Sequence, residues 1–201
     1  MSEMSTYTVG ILLFDDVEVL DFAGPYEVFS VTEDEQAVKG FNVVTISEKG
    51  EMIRARNGLK VEPDYHFENH PELDVLVVPG GYGAREVESK NKVVVDWVKG
   101  QDEVVEKMTS VCTGSFILAE AGLLEGKRAT THWTALDRME KAYPSVDVKR
   151  EVKFIDEGHL ITSAGISAGI EMALHVVAVL YGKDTAAHTA KHMEYDWQTG
   201  Y

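Results

Sequence analysis

Apolar residues along this chain fall into short, almost unbroken runs separated by amphipathic stretches. Tyr7-Thr-Val-Gly-Ile-Leu-Leu-Phe14, Phe41-Asn-Val-Val-Thr-Ile46, Leu73-Asp-Val-Leu-Val-Val78 and Met108-Thr-Ser-Val111 are the clearest of these runs. A strand covered on both faces carries apolar residues at consecutive positions, so they predict the strands of a buried, largely parallel sheet. Further strands are predicted at 146–149, 152–155 and 160–163, the last two joined by a turn at Asp156-Glu157-Gly158, and at 128–133, running into a turn. Helical patterns lie between them: from Pro25 towards Val31, after Tyr82-Gly83-Ala84, over 91–105, from Ser115 to Gly126, over 134–143 up to Pro144, behind Ser167 as N-cap to Tyr181, and from Asp184 as cap to His192. Val93, Val94, Trp97 and Val98 make one face of the 91–105 helix. Asn57-Gly58 predicts a short hairpin within 52–61. Residues 33–36 read as a solvated loop and 65–67 as a loop or short turn. Strand and helix alternate throughout, which predicts a single α/β domain over 1–201 with right-handed crossovers.

Composition narrows the partners more than the fold. The chain has 201 residues, 44% of them apolar and 26% charged, with a formal net charge of -15. Nucleic acid and anionic membrane surfaces would repel such a chain. A single cysteine, Cys112, forms no intramolecular disulfide, which fits a reducing cytoplasm. Residues 1–6 lack the basic-then-apolar order of a signal peptide. The longest apolar run, 173–181, is broken by His175 and too short to span a bilayer.

The chemistry centres on Cys112. A β-prone run leads into it, Thr113, Gly114 and Ser115 follow, and a helix leaves from it. That is the plan of a nucleophile at a strand-to-helix turn, where small neighbours let the backbone approach itself. A thiol at a helix N-terminus is expected to ionise more easily than a free one. The residues alone leave a second reading open, a buried cysteine acting as a small hydrophobe. Glycine-bearing turns around Gly24-Pro25 and Gly80-Gly81 can meet the Cys112 turn at one sheet edge, and the run 165–169 can join them. Asp21, between Leu20 and Phe22, is either a partly buried carboxyl able to hold a proton near neutrality or a helix cap. His132 is the histidine nearest Cys112 in sequence. Tyr82, Trp133 and Phe22 can line a small apolar pocket or belong to the core. His188 and His192 have a metal-compatible spacing, but no third ligand accompanies them.

Taken in order, Leu20-Asp21-Phe-Ala-Gly24-Pro25, Val78-Pro-Gly-Gly81, Thr109-Ser-Val-Cys112-Thr113-Gly114-Ser115, Ala129-Thr-Thr-His132-Trp133 and Gly165-Ile166-Ser-Ala-Gly169 resemble the ThiJ/PfpI superfamily, over nearly the whole chain. The form Leu-Asp-x-x-Gly-Pro with Ser-Val-Cys-Thr-Gly is most similar to its isocyanide hydratase branch, and also to the amino-terminal domain of certain AraC-type regulators. The resemblance implies a flavodoxin-like, class I glutamine amidotransferase-like sandwich with a mostly parallel central sheet, usually a homodimer. It implies a catalytic role for Cys112 as nucleophile, Asp21 as the acid beside it and Thr113 in the site. It implies Gly81 as a backbone donor. His132, which could activate the thiol as a Cys–His pair does, and Ile166 are candidate accessory residues. The resemblance implies a small-molecule substrate and no metal or organic cofactor. Thr113 stands where the peptidase-like branch carries histidine, which disfavours a Cys-His protease. No basic helix-turn-helix pattern accompanies the domain. A glyoxalase- or deglycase-like enzyme, a cysteine redox sensor and a ligand-sensing domain are the alternatives, and Asp21 disfavours the first, since that branch normally carries glutamate.

Overall fold

The computed structural model describes residues 6–34 and 37–197. The first five residues, Glu35 and Gln36 of the 33–36 loop, and the end of the tail lie outside the described residues.

The chain runs β1 (Tyr7–Leu12), α1 (Val19–Val31), β2 (Phe41–Ser47), the small hairpin β3 (Ile53–Arg54) and β4 (Lys60–Val61), then β5 (Tyr65–His66) and β6 (Val75–Val78). It continues through α2 (Tyr82–Glu86), α3 (Lys92–Asp102), β7 (Lys107–Val111), α4 (Ser115–Glu120), β8 (Arg128–Ala129), α5 (Leu136–Ala142) and β9 (Asp147–Val148). It ends with β10 (Phe154–Asp156), β11 (Leu160–Ser163), α6 (Ala168–Tyr181) and α7 (Lys183–His192). Seven strands form the main sheet in the order β10-β11-β7-β6-β1-β2-β5, parallel except for the β10–β11 hairpin. Helices cover both faces, with α1, α6 and α7 packed together and α3 against α4. This is the flavodoxin-like sandwich expected. The register sets Gly10 between Val44 and Leu76, so the central strands bury Val9, Ile11, Val75, Val77, Met108 and Val111 completely. Burial on both faces is what made these strands read as continuous apolar runs.

Several local expectations change. Helix α1 begins at Val19, and Pro25 lies inside it rather than at its first turn. Asp21 is therefore a first-turn residue, and the N-cap is Glu18. Residues 65 and 66, read as a loop, add an edge strand to β2. Val93 faces solvent, while Val94 and Val98 are the buried residues of α3. Ser167 makes no capping bond, and Asp184 sits in the first turn of α7 behind Gly182. At the Asn57-Gly58 turn both residues have positive φ, 62° and 96°, which asparagine and glycine tolerate best.

The order β2-β1-β6-β7 places a reversal of connection between β1 and β6. Ligands in open α/β sheets bind at the carboxyl ends of the strands near such a reversal. The carboxyl ends of β1, β6, β7 and β11 converge there, and so do Asp21, Gly81, Cys112, Thr113 and His132.

Candidate active site

Cys112 follows β7 directly, with φ 55°, a left-handed conformation that an L-residue adopts only when its surroundings hold it. The holding bonds are on the main chain. Its N–H donates to the Ala164 carbonyl at 3.3 Å, and its carbonyl accepts from the Thr131 hydroxyl at 2.9 Å and the Ser115 hydroxyl at 3.1 Å. Gly114 allows the turn to close: a Cβ there would lie 2.0 Å from the Val78 carbonyl oxygen. The thiol sits in the core, 6% exposed.

Asp21 reaches the thiol from α1. It is fully buried, and its Oδ2 accepts the Gly80 N–H at 3.0 Å. Its Oδ1 is buried without a hydrogen bond of ordinary geometry. Burial lifts the Asp21 pKa to about 7, helped by the charge of Glu18 and opposed by the bonds from Gly80 and Cys112. The same physics acts on the thiol. Burial pushes the Cys112 pKa well above the ordinary value, the Asp21 charge adds to the rise, and the backbone N–H and side chain of Thr113 oppose it. The expectation of an easily ionised thiol therefore reverses in sign. A 3-10 turn and the six-residue α4 carry too little dipole to offset the loss of water around sulfur.

Thr113 is clamped to the neighbouring turn. Its Oγ1 accepts the Gly81 N–H at 3.0 Å and lies 3.1 Å from the Gly81 carbonyl, to which it donates. Gly81 has φ 116° and no room for a side chain, since a Cβ would meet the Asp16 carbonyl oxygen at 2.6 Å. Its N–H is thus engaged by Thr113, and the free backbone donor expected at Gly81 is not there. Gly81 positions Thr113 instead.

His132 stands on the other side of the sulfur. A Cβ on Gly165 would lie 2.3 Å from His132 Cδ2 and 3.0 Å from Cys112 Sγ, so the imidazole edge and the thiol both face the space that a side chain at Gly165 would fill. His132 Nδ1 accepts the Thr134 N–H at 3.3 Å and lies 2.8 Å from the Thr134 hydroxyl. A backbone N–H only donates, so the ring proton of the neutral imidazole is on Nε2, next to Cδ2. Burial, with the Arg85 charge, lowers the His132 pKa, and Glu18 opposes this. Ile166 is half-buried one residue beyond Gly165. Phe22 is core, whereas Tyr82 is half-exposed and Trp133 is 75% exposed. The run 165–169, expected from the sequence to join the Cys112 turn, does so at Gly165, whereas Thr131 and Ala164, which hydrogen-bond the Cys112 main chain, were not singled out. His188 and His192 are both exposed on α7, and among the described residues no cluster of three metal-binding side chains forms.

A flavodoxin-like sandwich with a single cysteine at a strand-to-helix elbow, a carboxyl from the first helix beside it and a threonine locked by a diglycine turn defines the class of protein. The chain belongs to the DJ-1/PfpI family, whose model matches residues 7–179. It is 38% identical over 187 residues to an isonitrile hydratase of Pseudomonas putida, an alignment covering 93% of this chain and 78% of that protein. It is 29% identical over 189 residues to the HTH-type transcriptional regulator GbdR of Pseudomonas aeruginosa, and spans about half that regulator's length, 51%. Among solved structures, a ThiJ/PfpI family protein from Pseudomonas syringae superposes with a TM-score of 0.85 at 26% identity, covering 98% of this chain and 78% of that one. DJ-1beta of Drosophila melanogaster shares the fold with a TM-score of 0.81 at 21% identity, over 96% of this chain and all of that one. No described helix is long and apolar enough to cross a membrane.

Proposed function

We propose that the protein hydrates an isocyanide to an N-substituted formamide through a covalent adduct on Cys112. The observation that carries this reading is the buried thiol paired with a buried carboxyl whose pKa lies near 7, a pair built to pass a proton without exposing charge. The 38% identity to a protein named for this reaction supports it.

In this reading the thiol gives its proton to Asp21 as sulfur bonds to the terminal isocyanide carbon. Asp21 returns the proton to that carbon, leaving the neutral thioimidate Cys–S–CH=N–R. Water then adds across the C=N bond, oxygen to carbon and a proton to nitrogen. The hydroxyl proton leaves by way of Asp21 as the C–S bond breaks, which restores the thiol and releases the formamide. Thr113, fixed by Gly81, directs its N–H at the sulfur. The Nε2–H of His132 hydrogen-bonds the nitrogen as charge develops on it. No metal or organic cofactor takes part. A homodimer in a reducing cytoplasm completes the proposal.

The test is formamide production from an aryl isocyanide by purified protein, with Cys112→Ala alongside. Turnover in the wild type that disappears in the variant is expected. Equal turnover in both would rule out catalysis by the thiol. Consumption of methylglyoxal without isocyanide turnover would replace the hydratase with an enzyme acting on reactive carbonyls.

A further inference from the structure

Three successive residues tie the loop after β8 to three different places. Thr130 donates its N–H to the Thr162 hydroxyl of β11 at 3.0 Å, and its own hydroxyl to the Lys149 carbonyl at 2.9 Å. Thr131 donates its hydroxyl to the Cys112 carbonyl at 2.9 Å. His132 caps the 3-10 turn Trp133–Ala135 by accepting the Thr134 N–H. Both threonines are buried, so neither hydroxyl has water as an alternative partner. Among the described residues, the Thr131 bond is the one hydrogen bond that joins the elbow at 112–115 to the loop at 130–135. Its acceptor belongs to the residue whose φ of 55° has to be held by its surroundings. A carbonyl oxygen has two lone pairs, and here each meets a hydroxyl. Ser115 supplies one from three residues further along the same elbow, and Thr131 supplies the other from outside it. A donor inside the elbow moves with it. The outside donor is the one that sets where the elbow stands.

We propose that Thr131 is a positioning residue, whose hydroxyl sets, through the Cys112 carbonyl, where the sulfur stands relative to His132 and Asp21. The kinetic consequence rests on the hydratase reading. One end of the bond is on the residue that carries the sulfur, and the other is one residue before the imidazole. A change in that bond therefore changes the separation of the two groups directly. In the reaction above, sulfur takes the carbon and His132 the nitrogen of one rigid C–N unit, so their separation has to match the substrate. Without the hydroxyl, the left-handed Cys112 peptide loses its outer restraint and is free to relax towards the conformations that L-residues prefer. The sulfur then swings away from the carboxyl that α1 holds beside it. Thr131 touches neither sulfur nor substrate and acts wholly through this peptide.

The test compares Thr131→Val, Thr131→Ala, Thr131→Ser and Thr130→Val in the hydration of an aryl isocyanide. Removing the Thr131 hydroxyl should lower kcat by about tenfold or more and leave KM within about twofold, because alignment is lost and binding is not. Thr131→Ser should recover most of kcat. Thr130→Val deletes an equally buried hydroxyl whose bond does not reach the elbow, and it should keep kcat within about twofold even as its Tm falls. Equal losses of kcat at the two positions, a loss confined to KM, or no rescue by serine would reduce Thr131 to a structural role and overturn the proposal. Alanine is assayed beside valine so that a valine variant that does not fold leaves the test standing. A second measurement does not need turnover. Asp21 from α1 and the neutral His132 from the loop are the titratable groups around the sulfur, and the Asp21 charge opposes the thiolate. A sulfur released from Asp21 should be alkylated by iodoacetamide with an acceleration that begins at lower pH in Thr131→Val and Thr131→Ala. Thr131→Ser and Thr130→Val should follow the wild type. A wild-type profile in the variants that lack the Thr131 hydroxyl overturns the positioning role. If the wild type hydrates no isocyanide, the hydratase reading fails, and the alkylation profiles alone decide the role of Thr131.

Discussion

Asp21→Asn is expected to abolish most turnover and yet to make the folded protein increasingly more stable than the wild type as the pH rises. Asp21 is fully buried, and its pKa rises from the ordinary 3.8 to about 7. A carboxyl whose folded-state pKa is raised binds its proton more tightly in the native state than in the unfolded one. Its contribution is complete below the unfolded value, near pH 4, and is lost as the pH climbs through the folded value. Three pKa units at about 1.36 kcal/mol each set an upper bound of about 4 kcal/mol, and relaxation of the site makes about 2–4 kcal/mol a fair range. Asparagine keeps an oxygen to accept the Gly80 N–H but carries no charge at any pH, so it escapes this loss. The stability gap between variant and wild type should widen by that amount between pH 4 and pH 8, and its pH dependence should end above pH 8. For a chain of this size that corresponds to at least about 4 °C in Tm. Urea unfolding of both proteins at intervals of half a pH unit reads the gap directly, with intact slopes confirming a common mechanism. A gap that is constant with pH, or that narrows, refutes the idea that the desolvated native site binds the Asp21 proton more tightly than the unfolded chain does.

Two other outcomes probe the neighbouring groups. Thr113→Val keeps the shape of the side chain but leaves the Gly81 N–H and carbonyl without their partner. A loss of about 2–4 kcal/mol by urea denaturation is expected, and Thr113→Ser should restore most of it. Alkylation of Cys112 by iodoacetamide should be slow at pH 7 and still accelerating at pH 9, because burial and Asp21 both oppose the thiolate. In Asp21→Asn the acceleration should begin at lower pH, and an unchanged profile would mean that the two groups do not sense one another.

Much of the fold was legible because its central strands are buried on both faces, and such strands announce themselves as apolar runs. What escaped the sequence lacked that signal. Strand β5 has two residues at the sheet edge, Tyr65 and His66, neither of them part of an apolar run. The start of α1 was misplaced because Pro25 is well suited to a first helical turn. Here it lies seven residues into α1, the first turn being the Val19-Leu20-Asp21-Phe22 segment. The candidate site divides in the same way. Cys112, with its small followers, stood out as an elbow, and the diglycine at Gly80-Gly81 stood out as a close approach. The charge state of the thiol did not, since no sequence pattern reports how much water surrounds a sulfur atom. Nor did the approach of His132 to Gly165, which depends on turns meeting across the ends of separate strands.

The two raised pKa values describe a single arrangement. With Asp21 ionised, a thiolate beside it would place two negative charges in a site that water barely reaches, so the thiol keeps its proton. With Asp21 protonated, the carboxyl is a hydrogen-bond donor to whatever forms on sulfur. The pair therefore favours states in which the proton lies on one member or has been passed to the substrate, and it disfavours a standing thiolate beside an ionised acid. A cysteine paired with histidine behaves in the opposite way, because proton transfer there creates an attracting imidazolium and thiolate. His132 does not take that role: its pKa is lowered, and its Nδ1 lone pair is already engaged by Thr134. A nucleophile that moves only as its proton moves suits addition of S–H across an unsaturated carbon, where bond formation and protonation of that carbon belong to one event. An isocyanide carbon, which accepts both a nucleophile and a proton, meets that requirement.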